Sequence, residues 1–500
     1  MRKFRSSKLF TFGASVLFAA FVLSACGGGG GGSSSSANAG TGAGAGAGSG
    51  SGAGTPGGGT NAPTTTSTLS LAAQVGQQLF FDKNLSSNKN QSCASCHDPL
   101  FAYGPPNSLA VQLGSDGVSK GERASPSLRY KSMTPAYSDI AENPDGKTLA
   151  KPGGGFFWDG RATSLANQAG GPLLNPLEMN NASQKAVVDV VRNASYAALF
   201  KQAFGATSLD DDATAFGYIT QAIAAFETED PSFEPYSSKY DLYIGNKIGG
   251  TLTAAELRGL SVFNRGDQGN CFACHYQGAN FNGSTGLMTD FTYQSIAAPR
   301  NDKSIPNNTD PIPANDDATY FDMGLCGPTR ADHAPGAAGI ADPDPYCGVF
   351  KVPTLRNVAT RNAFFHNGVF HSLDQVVHFY NTRDTNPEYW YPASGGSGTP
   401  QTNPVRALQP TYLPGATVNK YNDLPQKYWG NIDIEIPMGN GDGDAVVTRA
   451  NDPAGAFVRP AGSAPVMSEQ DMQDLVCFLN TLSDGYQPPA TTPTTGACVN

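Results

Sequence analysis

CASCH at Cys93–His97 and CFACH at Cys271–His275 are the two stretches whose reading decides the fold. Both are C-x-x-C-H. Two thiols at this spacing add to the two vinyl groups of one haem, and the histidine that follows becomes an axial iron ligand. With 9 cysteines and 6 histidines in 500 residues, chance supplies about 0.002 such motifs. A redox C-x-x-C pair or half a zinc site is the ordinary competitor. Neither accounts for the histidine in both copies, and no third and fourth zinc ligand stands nearby. Two covalent c-type haems are therefore expected, held by Cys93, Cys96 and His97 and by Cys271, Cys274 and His275.

The surroundings repeat as well. VGQQLFFD (Val75–Asp82) precedes the first motif and RGLSVFNR (Arg258–Arg265) the second, with Gly76 and Leu79–Phe80 matching Gly259 and Val262–Phe263. Thr253 and Glu256 form a capping box for the second copy, and Leu257, Leu260 and Phe263 fall near one face. Towards the end, Ser468 can cap a helix with Met472, Leu475, Val476, Leu479 and Leu482 as its apolar stripe. A helix before the haem and another closing the domain builds a small cytochrome c unit. The chain reads as mainly α, with two cytochrome c-like domains at 69–245 and 246–486 and long Gly/Pro-rich loops.

Outside these domains the sequence reads as an address. A basic start, an apolar run from Leu9 to Leu23 and LSAC ending at Cys26 resemble a lipoprotein signal peptide over 1–25. That run is short for a membrane helix. Cys26 is the expected lipidation site, residues 26–68 a flexible Gly/Ser-rich tether and 487–500 a tail. The expected location is the periplasm or cell surface, anchored to a bacterial membrane. A net charge of −10 without a basic run past the signal excludes nucleic acid as a partner. Four cysteines remain: Cys326, Cys347, Cys477 and Cys498. In an oxidising compartment an even remainder suggests disulfides, nearest in sequence as Cys326–Cys347 and Cys477–Cys498, with free buried thiols as the alternative.

The sixth ligand decides between carrying electrons and oxidative chemistry, because an enzyme that handles peroxide leaves one iron open. No histidine lies between residues 98 and 240, although Met133 and Met179 do. The same region holds Trp158, Gln168 and Glu178; an amide and a carboxylate beside an open iron could move a proton between peroxide oxygens. Composition alone favours the plainer reading, a capped loop with a core tryptophan and a surface glutamine and glutamate. In RNAFFHNGVFHSLDQVVHFY (Arg361–Tyr380), Ser372 and Gln375 predict a helix over Leu373–Asn381. Leu373, Val376, Val377 and Tyr380 share its inner face, His378 lies on the other, and His366 and His371 precede it.

These features together resemble the bacterial dihaem cytochrome c peroxidase/MauG family over about residues 70–485. The marks are LFFDKNLS (79–86), ERASPSLR (122–129), FFWDGRATSLANQAGGPLLNPLEM (156–179), FKVPTLRNVATRNAFFHNGVF (350–370) and DLVCFLNTL (474–482). The resemblance implies that His97 is the proximal ligand of the peroxide-reacting haem and that His275 holds the electron-transfer haem. It implies that Trp158 lies between the haems, that Gln168 and Glu178 are the distal amide and acid, and that His366 is the family's turn histidine. Three departures stand out. The loop histidine that closes the first haem in many members is missing from SLAVQLGSDGVSKGE (108–122). The asparagine that binds an interhaem calcium falls at Ala124, with the remaining contacts at the carbonyls of Arg361 and Ala363, which puts calcium in question. The usual methionine ligand of the second haem is replaced by Tyr380, as in MauG, with Met438 and Met467 as rivals.

The expected function is reduction of hydrogen peroxide at the N-terminal haem, with electrons from a small cytochrome c or cupredoxin passed through the C-terminal haem. The competing readings are a MauG-like oxidase that modifies a partner protein or organic substrate, and a non-enzymatic surface electron carrier.

Overall fold

The computed structural model describes residues 68–141, 151–278, 286–335, 346–439, 459–489, 495–496 and 498–499. The signal segment, Cys26 and most of the tether lie outside them. The helices are α1 (Leu71–Phe81), α2 (Cys93–Cys96), α3 (Leu165–Leu174), α4 (Gln184–Arg192), α5 (Ala197–Phe204), α6 (Asp212–Glu229), α7 (Lys239–Ile244), α8 (Ala254–Asn264), α9 (Leu373–Thr382) and α10 (Glu469–Asn480). Among the described residues strands occur only as two-stranded ribbons, such as Tyr293–Gln294 against Phe350–Lys351. The chain is mostly helix and loop.

Two helix pairs carry the architecture, and both cross at a glycine. A Cβ on Gly76 of α1 would lie 1.9 Å from the carbonyl oxygen of Ala222 in α6, and one on Gly259 of α8 would lie 1.9 Å from that of Asp474 in α10. Only hydrogen fits at either crossing. The same spacing then sets ring against ring, Phe80 on Phe226 at 5.5 Å and Phe263 on Phe478 at 5.3 Å between centroids. The sequence repeat around Gly76 and Gly259 is thus a repeat of crossing geometry. It also corrects the face expected for α8. The helix buries Ala255, Gly259, Val262 and Phe263, whereas Leu257 is 43 % exposed. Close backbone approach at the glycine, not the leucine spacing, chooses the inner side.

The expected caps at Thr253 and Ser468 form, as full capping boxes with Glu256 and Asp471, and the Ser70 hydroxyl adds an unforeseen cap by accepting from Ala73 N at the start of α1. At α9 the Ser372 hydroxyl accepts from Gln375 N, but the Gln375 side chain turns to the N–H of His371 rather than that of Ser372. One apolar core gathers Val75, Leu79, Val187, Phe200 and Ile219. A larger one gathers Phe263, Phe370, Phe379, Trp390 and Phe478, and α7 joins it through Tyr240. Cys326–Cys347 and Cys477–Cys498 stand at disulfide distance, with Cα–Cα separations of 4.9 and 5.3 Å. Among the described residues no helix is long and apolar enough to cross a membrane.

The crossings give a direct stability test. Gly→Ala in a helix interior ordinarily stabilises by up to about 1 kcal/mol. At Gly76 or Gly259 the added methyl meets backbone, so Ala is expected to destabilise by roughly 1–3 kcal/mol. Denaturant midpoints of the two variants read the sign.

Candidate functional site

Two cavities flank a common wall. The first has about 1030 Å³ of free space, counting its mouth, and is lined by His97, Trp158, Arg161, Gln168 and Glu178. An adjoining space of about 740 Å³ shares His97, Gln168 and Glu178 and adds Cys93, Cys96 and Glu227. The second cavity has about 1400 Å³ and is lined by Cys271, Cys274, His275, Tyr380, Met438 and Met467, among mainly apolar side chains. Trp158 and Lys351 border both sides.

The two motif histidines are built alike. His97 Nδ1 lies 3.1 Å from the Tyr103 carbonyl oxygen and His275 Nδ1 lies 3.2 Å from that of Met288. A carbonyl only accepts, so Nδ1 carries the proton and Nε2 keeps its lone pair for a metal. Burial pulls both imidazoles down to about 4, so both are neutral at physiological pH. Burial also pushes the Cys93, Cys96 and Cys271 thiols up to about 12. A redox C-x-x-C pair needs the opposite shift. The four motif cysteines are the ones that stay out of disulfides among the described residues. Paired thiols, a neutral histidine and a large cavity in each place fit a haem.

A second repeat lies behind these histidines, and sequence reasoning missed it. Ser127 and Thr354 each donate a hydroxyl hydrogen bond, to the carbonyls of Ala102 and Leu287, and each accepts from an arginine N–H two residues on, Arg129 and Arg356. Leu128 N and Leu355 N donate to the same Tyr103 and Met288 carbonyls. SPSLR and VPTLR are therefore one structural element used twice. The second lies much farther beyond its haem motif than the first, so no fixed period exposes it.

In the first pocket the structure brings Trp158, Gln168 and Glu178 together with His97. Burial raises the Glu178 carboxyl above its ordinary range, opposed by Arg161 and by a hydrogen bond from Asn175. Trp158 is fixed by Nε1–H donating to the Ala124 carbonyl at 2.8 Å, while its own carbonyl accepts from Lys351 N at 2.9 Å. No described histidine other than His97 lines this pocket or its extension. Of the two methionines considered, Met179 lines the extension, and Met133 packs elsewhere against Tyr130, Leu287 and Phe291.

The second pocket takes the inner face of α9, where Leu373, Val376, Val377 and Tyr380 all border the cavity. The Tyr380 hydroxyl makes no hydrogen bond to a described residue, and burial raises its pKa. Its ring is held edge-on to Phe365 and Phe379 at 5.9 and 6.2 Å. Met438 and Met467 also border the cavity. The Met438 sulfur already accepts from Arg383 Nη1 at 3.2 Å. His378 is buried rather than surface-facing, bonded to Glu469 and away from both pockets. His371 bonds to the Asn362 carbonyl. His366 borders the second cavity, stacked on Phe350 at 3.6 Å, with Nε2 buried, 3.9 Å from Asp423 Oδ2 and without a hydrogen bond among the described residues.

The residues at the expected calcium position do not fit that ion. Position 124 offers a methyl group, its carbonyl is taken by Trp158, and Arg361 Nε donates to the Ala363 carbonyl at 3.2 Å. A fixed guanidinium already stands where a divalent cation would have to approach.

Comparison with known proteins agrees with the paired cavities. Residues 70–248 match the family described as di-haem cytochrome c peroxidase. The methylamine utilization protein MauG of Paracoccus denitrificans is 38 % identical over 315 residues, 62 % of this chain and 74 % of the relative. This chain belongs to the dihaem cytochrome c peroxidase/MauG family. Cytochrome c551 peroxidase of Nitrosomonas europaea is 28 % identical over 319 residues, 63 % of this chain and 75 % of that protein. The solved diheme peroxidase BthA of Burkholderia thailandensis is 33 % identical, with a TM-score of 0.64 over 83 % of this chain and 86 % of that one. Haem cofactors and oxidoreductase chemistry follow from membership.

Proposed function

We propose that this protein is a dihaem c-type oxidoreductase that consumes hydrogen peroxide in its N-terminal pocket and draws electrons through its C-terminal one. The chain is read as two cytochrome c-like domains with a haem attached at Cys93–Cys96 and another at Cys271–Cys274. The observation that carries the reading is the convergence of Glu178 and Gln168 on the cavity of His97, which no other described histidine shares. Bound haem supplies one-electron redox chemistry and an iron that can take peroxide. Glu178 would take a proton from one peroxide oxygen and return it to the other as the bond between them breaks, and Gln168 would orient the peroxide through its amide. Trp158, bordering both pockets, provides the aromatic path between them. Tyr380 would hold the iron of the C-terminal haem together with His275, ahead of Met467 and of Met438 with its engaged sulfur. The signal and Cys26 support a lipid-anchored protein of the periplasm or cell surface, fed by a small cytochrome c or cupredoxin.

A MauG-like oxidase acting on a partner protein or organic substrate is the second reading. It is favoured by the 38 % identity to MauG against 28 % to the peroxidase and by Tyr380. Steady-state peroxide consumption with reduced small cytochromes and cupredoxins separates the two. Rapid turnover supports the peroxidase. Slow turnover with peroxide-dependent modification of a partner supports the oxidase. Inertness to peroxide leaves an electron carrier.

The carboxyl environment adds a pH prediction. A base must be ionised to take a proton, and burial makes Glu178 hold its own to a higher pH than an ordinary glutamate. Peroxide consumption is therefore expected to fall as pH drops through that raised value, with its acid limb above the usual carboxylate range. The limb should vanish in Glu178→Gln, in a pH profile of the bimolecular rate.

A further inference from the structure

Three cations stand in the wall between the pockets, Lys351 buried and Lys131 and Arg361 half-buried, with too little negative charge from the described residues to balance them. Lys131 borders the first cavity, Arg361 the second, and Lys351 both. Arg361 Nη2 is buried and makes no hydrogen bond. Among the described residues its one polar side-chain contact is the bond from Nε to the Ala363 carbonyl. Among the described residues Lys351 Nζ donates only to the Gly155 carbonyl, and the Lys131 ammonium has no hydrogen bond or ion pair. Lys131 lies near enough to Arg361 and to Lys351 for their charges to oppose one another.

The carboxyl groups that face them do not close the balance. Glu227 faces Lys131, but burial pushes that carboxyl up to about 8, which leaves it largely protonated at neutral pH. Asp159 faces Lys351 and is already bonded to Arg123 and Arg161. Asp433 and Glu435 border the same cavity as Arg361, but no carboxylate among the described residues is bonded to it. Ionised groups do not stay buried unpaired; they lose their proton or find a counter-charge. Arginine does not deprotonate readily. An anion from outside the chain is called for, and it must reach both cavities from their shared wall.

We infer that Lys131, Lys351 and Arg361 are the receptors for the carboxylate side groups of the two porphyrins, Lys131 serving the first haem, Arg361 the second, and Lys351 both. The inference rests on the haem reading above but not on peroxide as substrate. It gives these residues a second consequence. Positive charge held beside a porphyrin carboxylate disfavours the oxidised iron, so each residue helps to set a reduction potential.

The test is a spectroelectrochemical titration of the holoprotein and of Lys131→Gln, Lys351→Gln and Arg361→Gln. Each variant is expected to shift its haem toward the oxidised form by about tenfold in the redox equilibrium, 59 mV for one electron. Lys131→Gln should move the first haem, Arg361→Gln the second, and Lys351→Gln both. The charge-keeping Lys131→Arg and Arg361→Lys should restore most of the parent value. Potentials within threefold of the parent in all three neutral variants, or equal shifts of both haems in every one, overturn the inference. If a neutral variant does not hold haem, resonance Raman of the parent decides. Carboxylate bending bands at hydrogen-bonded positions support the assignment, and bands at free positions overturn it. A protein with fewer than two haems would instead undo the haem reading itself.

Discussion

Replacing Glu178 with glutamine is expected to slow peroxide consumption by about 10²–10⁴-fold, the contribution of a positioned acid–base group, while both haems stay in place. Glutamine keeps the size and the hydrogen-bonding capacity but cannot take a proton. The carboxyl is half-buried, shares its cavity with His97 and Gln168, and is held above its ordinary pKa by loss of solvation. That is the placement of a working acid–base group rather than of a surface charge. Gln168→Ala should cost less, because an amide can orient peroxide but cannot move its proton. Initial rates of peroxide loss, with the haem bands recorded on the same samples, measure both. A Glu178→Gln rate within twofold of the parent would return the residue to a packing role.

Tyr380→Met is expected to raise the potential of the C-terminal haem on the order of 0.2 V, within the roughly 0.8 V that axial ligands span. An anionic oxygen favours ferric iron and a thioether favours ferrous. Tyr380 borders the cavity of His275 with its hydroxyl unengaged by any described residue, and the Met438 sulfur is held by Arg383. Tyr380→Phe should leave that iron without its ligand and change its ferric spectrum. Magnetic circular dichroism and both potentials read the outcome. A methionine-to-iron charge-transfer band in the parent, or no change with Phe, moves the ligand to Met467 and makes an ordinary electron-transfer haem the better description.

What could be read from residues alone follows a physical divide. The haem motifs, the caps at Thr253 and Ser468 and the inward face of α9 are local, set by spacing within one turn or one helix, and they were legible. Gly76 and Gly259 were visible as a repeat, but their meaning, a backbone crossing that admits only hydrogen, needed the partner helices α6 and α10. The same crossings turned Leu257 outward against its periodicity. Trp158, Gln168 and Glu178 were bland by composition and became candidates only through the resemblance. Their convergence on His97 is a tertiary fact. Lys131, Lys351 and Arg361 carried no signal at all, because a lysine or arginine in a loop reads as solvated until its surroundings are known. The burial of His378 against Glu469 escaped for the same reason. The helix period placed it away from Tyr380 but could not show that α10 covers it.

The most direct test of the central claim mixes the fully oxidised protein, as isolated, with one equivalent of hydrogen peroxide and follows the haem absorbance. No described histidine besides His97 reaches the first pocket, and the loop over 108–122 supplies none. The account therefore predicts a prompt spectral change without prior reduction, slowed in Glu178→Gln. No change until the C-terminal haem has been reduced would mean that another residue closes the first iron, and would contradict it.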